Sequence, residues 1–140
     1  MGEFERKKER PVFPKRAIVT AGMPYGNKEL HFGHIGGVFV HADTYARFLR
    51  DRIGKENVIF VSGTDCYGSP ILESYRKARE SGDFTGSLEG YVTKNHNAQK
   101  STLDQYEISL NLYGASALGC AAEIHKEVSK EVFESLYKAG

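Results

Sequence analysis

The sequence contains no tryptophan, two cysteines, two methionines and four prolines among its 140 residues. Cys66 and Cys120 are far apart and have no companions, which argues against a disulfide framework or a zinc knuckle and fits a reducing, cytoplasmic setting. No stretch approaches the ~20 apolar residues of a membrane span, and the N-terminus lacks the apolar centre of a signal peptide, so no membrane partner is expected. An excess of one charge is missing as well. Nineteen Lys and Arg against eighteen Asp and Glu leave a formal charge of +1, so nothing pulls the whole surface toward nucleic acid, and any RNA contact must be local. Glycine is plentiful instead: fifteen residues, set at turns rather than in a repeat. With 40% hydrophobic side chains, the chain can bury one core of ordinary size, so one domain or part of one is expected.

The first sixteen residues carry six basic and three acidic side chains and read as a charged leader over 1–15 that enters the domain at Pro11 to Pro14. From Arg16 to Gly22, β-branched Ile18, Val19 and Thr20 suit a strand buried on both faces. A loop from Met23 to Phe32 follows. Ile35, Val38, Phe39, Ala42, Ala46 and Leu49 then fall on one helical face, which predicts a helix over 33–51 stopped by Gly54. Asn57 to Ser62 reads as a second buried strand, and Gly63 to Gly68 turns into a helix with Ser69 as N-cap and Pro70 at its first position. Residues 88–106 read as a helix whose face is diluted by Asn95 and Gln99. The alternation over Glu107 to Tyr113 predicts a third strand, and Ile124, Val128, Val132 and Leu136 predict a helix over 121–139 capped by Gly140. Strand, helix, strand, helix makes an α/β unit with a parallel crossover, which brings Gly22–Tyr25 and Gly63–Gly68 to the carboxyl edge of one sheet.

The densest chemistry lies at that edge. His31-Phe32-Gly33-His34 stands where the helix begins, and the free amides and dipole of a helix N-terminus favour an anion. Imidazole donors aimed at oxygens where charge develops add roughly 3 kcal/mol each to a transition state, so the pattern points to phosphoryl chemistry on a nucleotide. Gly33 is read as the place where nucleotide approaches the backbone, and Gly36 and Gly37 as allowing a tightly packed first turn. The spacing is also compatible with two metal ligands, but no third ligand is evident: His41 is off the face, and His96 and His125 read as solvent-facing. Cys66 has no neighbouring base and reads as a structural thiol.

Together, Ala21-Gly-Met-Pro-Tyr-Gly-Asn-Lys-Glu-Leu-His-Phe-Gly-His34, Ala42-Asp43 and Ser62-Gly-Thr-Asp-Cys-Tyr-Gly68 resemble the class I aminoacyl-tRNA synthetases, and among them the methionine enzymes most. The resemblance runs from about residue 17 to 140. It implies a partial Rossmann-like fold of the HUP type, a parallel sheet flanked by helices, and the N-terminal half of a catalytic domain over 16–140. It also implies methionine, ATP with Mg²⁺ and tRNA(Met) as substrates, used first to form methionyl-adenylate and then to charge the tRNA. Carried onto this chain, His31 and His34 are catalytic donors to the ATP phosphates, with Asn27 and Gly33 also binding ATP. Asp65 takes the methionine ammonium, and Tyr25 packs over the side chain in a pocket lined by Gly22 and Met23.

Departures from the pattern narrow these expectations. Phe32 replaces an aliphatic residue inside the histidine motif, and Cys66-Tyr67 stands where the family commonly has Glu-His or Ala-His, so Tyr67 receives no role. The family's KMSKS-like lysine loop does not occur. Val128-Ser-Lys130 lies in an amphipathic helix and is no substitute. The connective insertion, the remaining strands, the anticodon-binding domain and any zinc or other metal site are also missing from the sequence, so an N-terminal fragment is expected. Two other readings stay open at this level: a small H-x-G-H nucleotidyltransferase and a synthetase-like, non-catalytic binding module.

Overall fold

In the computed structural model, residues 12–140 are described, so the charged leader expected over 1–15 lies outside them except for its last four residues. Strands β1 (Ala17–Thr20), β2 (Val58–Thr64) and β3 (Leu112–Ala115) form one sheet in the order β1-β2-β3. Both pairings are parallel, with Val19 opposite Phe60 and Gly63 opposite Gly114. The α/β class and the partial Rossmann-like arrangement read from the sequence are those of the structure.

Between β1 and β2 the chain is helical from Phe32 to Ile53, in three parts. A single turn, α1 (Phe32–His34), leads into a π-helical stretch at Ile35–Phe39 and then α2 (Val40–Ile53). The periodicity predicted one uninterrupted helix; the widened turn falls where Gly36 and Gly37 remove the side chains that enforce regular winding. Single π-helical turns inside longer helices are frequent at functional sites. Gly54 ends α2 at φ 94°, a conformation glycine adopts without the Cβ penalty.

After β2 come α3 (Ser69–Glu80) and α4 (Leu88–Gln105), then β3 and α5 (Cys120–Ala139). The N-cap of α3 is Gly68 rather than Ser69, because φ 114° at Gly68 makes the turn out of the preceding loop. Ser87 caps α4 by accepting the Gly90 amide at 3.1 Å.

Two expectations about the strands need correction. The third strand does not begin at Glu107 but at Leu112. Glu107 adopts φ 52°, and Ile108 and Leu110 pack on the core from an irregular approach segment, so their alternation reflects burial without a ladder. Nor are β1 and β2 buried on both faces: Ile18 is 72% and Ile59 49% exposed, and Leu112 of β3 is 61% exposed on the same sheet. Two parallel crossovers that advance the same way across a sheet put their helices on the same face. Among the described residues the core therefore lies on one side of the sheet, where Val19, Phe39, Ala46, Leu49, Phe60 and Leu103 pack together. The apolar stripe of α5 forms as predicted, and Ile124, Val128, Val132 and Leu136 are exposed.

Candidate active site

The carboxyl edge of the sheet is assembled by a pair of backbone bonds. The Gly26 amide donates to the Asp65 carbonyl at 2.8 Å and the Asp65 amide to the Pro24 carbonyl at 2.8 Å, which makes Tyr25 and Asp65 an isolated parallel bridge beyond β1 and β2. Two segments forty residues apart in the chain are thereby held side by side. Glycine is required here: a Cβ on Gly26 would sit 3.0 Å from both Thr64 and Val92, and one on Gly63 would meet the Gly114 carbonyl oxygen at 2.7 Å.

Asp65 is half-buried, and its Oδ1 accepts the Tyr67 amide at 3.1 Å, which shapes the turn into α3. Its Oδ2 has no protein partner among the described residues. Tyr25 and Met23 are each 48% exposed and Gly22 is open, so the three expected amino-acid contacts present surface rather than core. Asn27 is half-buried and donates to Ser74 Oγ at 3.3 Å on α3, while its own Oδ1 is buried without a partner.

His31 and His34 cap the helix reciprocally. Nδ1 of His31 accepts the Gly33 amide at 3.1 Å, and Nδ1 of His34 accepts the His31 amide at 3.2 Å. The rings lie 3.9 Å apart, tilted by 39°. A ring nitrogen that accepts carries no proton, so each neutral imidazole holds its hydrogen on Nε2, pointing away from the cap as a donor. Burial, followed by the neighbouring His31 and Lys28, holds the pKa of His34 below its usual value and favours this neutral form. Gly33 has a local reason as well: a Cβ there would lie 3.0 Å from the His31 ring.

What the sequence did not reveal is the support beneath this edge. Side chains of α4 take four consecutive carbonyls of the loop: Gln99 Nε2 donates to Tyr25 at 2.9 Å and to Lys28 at 2.8 Å, Asn95 Nδ2 to Gly26 at 3.1 Å, and the Tyr91 hydroxyl to Asn27 at 2.8 Å. Gln99 Oε1 accepts from the hydroxyls of Thr64 at 2.8 Å and Tyr113 at 2.9 Å. With its only hydroxyl proton directed there, Thr64 accepts at 2.8 Å from His96 Nδ1. His96 is therefore half-buried in this network, not solvent-facing. Burial and then Lys100 lower its pKa, while burial pushes the Tyr113 phenol up to about 12. His41 and His125 are exposed, and His125 stacks on Tyr67 at 5.4 Å.

Cys66 is half-buried and donates weakly to the Thr64 carbonyl; Cys120 is exposed, and both are free thiols. An apolar cavity of about 330 Å³ opens beside the Asp65 turn, lined among others by Cys66, Tyr67, Gly68, Ile71 and Val92. Among the described residues, no three His, Cys, Asp or Glu side chains gather as a metal cluster, and no helix is long and apolar enough to cross a membrane.

Comparison with known proteins bears on this region as a whole. The family described as tRNA synthetases class I (M) matches residues 17–140. The chain belongs to this family. Curated relatives agree: the methionine–tRNA ligase of Cytophaga hutchinsonii is 37% identical over 91% of this chain, and that of Pyrococcus abyssi is 34% identical over 89%. The matched part is 17% of the first of those proteins and 16% of the second, so the chain spans about a sixth of the length of such relatives. Among solved structures, Mycobacterium tuberculosis methionyl-tRNA synthetase in complex with methionyl-adenylate superposes with a TM-score of 0.73 over 91% of this chain and 22% of its own, at 24% identity. That likeness is one of fold. The region corresponds to the N-terminal part of the synthetase catalytic domain.

Proposed function

We propose that this chain carries the N-terminal half of the active site of a methionine–tRNA ligase. In the reaction, a carboxylate oxygen of methionine attacks the α-phosphorus of ATP, the bond to the β-phosphate oxygen breaks, and methionyl-adenylate and pyrophosphate result. The methionyl group then passes to tRNA(Met). No general base is needed for the first step, because the nucleophile is already an anion; positioning and charge stabilisation supply the rate.

The observation that carries this reading is the Tyr25–Asp65 bridge, which sets a carboxylate with an unpartnered oxygen beside an open aromatic face. A carboxylate pairs with the ammonium of an amino acid, and an aromatic face suits a thioether. Gly22 and Met23 complete that side. The Nε2–H groups of His31 and His34 donate to the phosphate oxygens of ATP, which enters with Mg²⁺, and Asn27 and Gly33 line its path. The chain spans about a sixth of the length of its curated relatives, and residues 16–140 act as one half of a longer catalytic domain, working in the cytoplasm.

Two assays test the reading. Methionine should raise the melting temperature of the chain more than leucine, isoleucine or valine does at equal concentration. Methionine-dependent ATP–pyrophosphate exchange should be at or near background; turnover typical of a synthetase would contradict the half-site, and equal stabilisation by all four amino acids would contradict the substrate.

A further inference from the structure

Helix α4 is conspicuous for where it spends its polar side chains. Tyr91, Asn95 and Gln99 recur at intervals of four, so they form one seam along the helix, and the seam faces protein: Asn95 is 7% and Gln99 0% exposed. An apolar seam would serve a core as well and avoid the cost of burying amides. The seam instead meets an unbroken run of backbone acceptors, the carbonyls of residues 25 to 28, each of which receives one hydrogen bond.

Gln99 is fully satisfied, with two bonds donated and two accepted, and its orientation is dictated from outside. The carbonyls of Tyr25 and Lys28 can only accept and so take the amide nitrogen, which leaves Oε1 to accept from the hydroxyls of Thr64 and Tyr113. Thr64 is directed in turn by His96. A chain of donors thus runs from His96 through Thr64 and Gln99 to the loop, and fully satisfied buried networks of this kind rigidify what they hold. The loop has no regular structure of its own, and it joins β1 to the histidine cap.

We propose that Tyr91, Asn95 and Gln99 are positioning residues that fix the path of Tyr25–Lys28, and through it the placement of the Tyr25 ring and the Asn27 side chain against Asp65. That Tyr25–Lys28 meets substrate rests on the synthetase reading above; the mechanical role does not.

Amide hydrogen exchange followed by NMR on the 140-residue chain tests it. Tyr91→Phe keeps the ring that packs on Tyr75 and Phe84 and removes only the bond to Asn27. It should speed exchange of the Gly26 and Asp65 amides about ten-fold, with shifts confined to residues 24–28 and 65, while the Leu49 and Phe60 amides of the core stay within about two-fold. Gln99→Met, which loses two loop bonds, should produce about a hundred-fold local acceleration, larger than any change it makes in the core. Unchanged loop exchange in Tyr91→Phe, or loop and core moving by one common factor in the variants that fold, would overturn the proposal and leave the seam as ordinary fold stabilisation. Because neither readout uses a substrate, a failed pyrophosphate-exchange or thermal-shift assay would count against the synthetase reading alone.

Discussion

Two irregular segments of this fold are held by side chains from a neighbouring helix, by opposite means. The approach to β3, residues 107–111, is held by charge: Asp43 accepts from the Ser109 amide at 2.8 Å, from the Ser109 hydroxyl and from Arg47 Nε at 2.7 Å. Arg47 and Arg50 donate onward to the Glu107 carbonyl at 2.6 Å and the Asn111 side chain at 2.7 Å. The loop at residues 25–28, by contrast, is held by neutral amides and hydroxyls. Under the proposed function the contrast has a use: a charged support beneath the 25–28 loop would compete with Asp65 and the two histidines for the field at the site.

Breaking the charged clamp should cost most. Asp43→Ala removes a buried carboxylate with three donors and is expected to lower stability by about 3 kcal/mol in urea unfolding, with loop 25–28 no more affected than the core. Next comes the strand that both clamps share: Gly63→Ala forces a Cβ against the Gly114 carbonyl and should lower stability by about 2 kcal/mol, to be measured the same way.

Acid should separate the clamps without mutation. His34 and His96 have folded pKa values below 6.5, so the stability they contribute is fully present above pH 6.5 and is lost as pH falls through their lowered values. For Asp43 burial works the other way, but the hydrogen bonds from Ser109 and Arg47 outweigh it and hold the carboxyl below 3.8, so its contribution persists until much stronger acid. Melting temperature recorded from pH 7 to 5 should fall, and His96→Asn, which keeps a donor near Thr64 but does not titrate, should flatten part of that slope. Smallest of all, Glu73→Gln on α3 should leave the unfolding midpoint unmoved: Arg76 and Lys77 pull its carboxyl down to about 2, yet the pair is exposed.

The same contrast explains what was legible in the sequence. That Tyr25 and Asp65 meet at one sheet edge, with His31 and His34 at the following helix start, was legible because two short apolar runs ended by glycine turns imply parallel strands joined by a helix. Asn95 and Gln99 were read only as a dilution of a helical face, since a polar residue facing an unpaired loop carbonyl looks, in one dimension, like one facing water. Glu107 to Leu110 misled for the converse reason: Ile108 and Leu110 are partly buried, and alternation reports burial rather than ladder bonds. The bare face over Ile18 and Ile59 was hidden because an apolar run does not say how many faces are covered. The π-helical turn after His34 left no signal beyond Gly36 and Gly37.

The most direct test of the account is a titration of the ¹⁵N-labelled chain with L-methionine, followed by NMR and repeated with Asp65→Asn. The account predicts saturable shifts at Gly22, Met23, Tyr25 and Asp65 that Asp65→Asn abolishes while the spectrum of the core is preserved. Absence of shifts at these residues, or identical binding by Asp65→Asn, would contradict it.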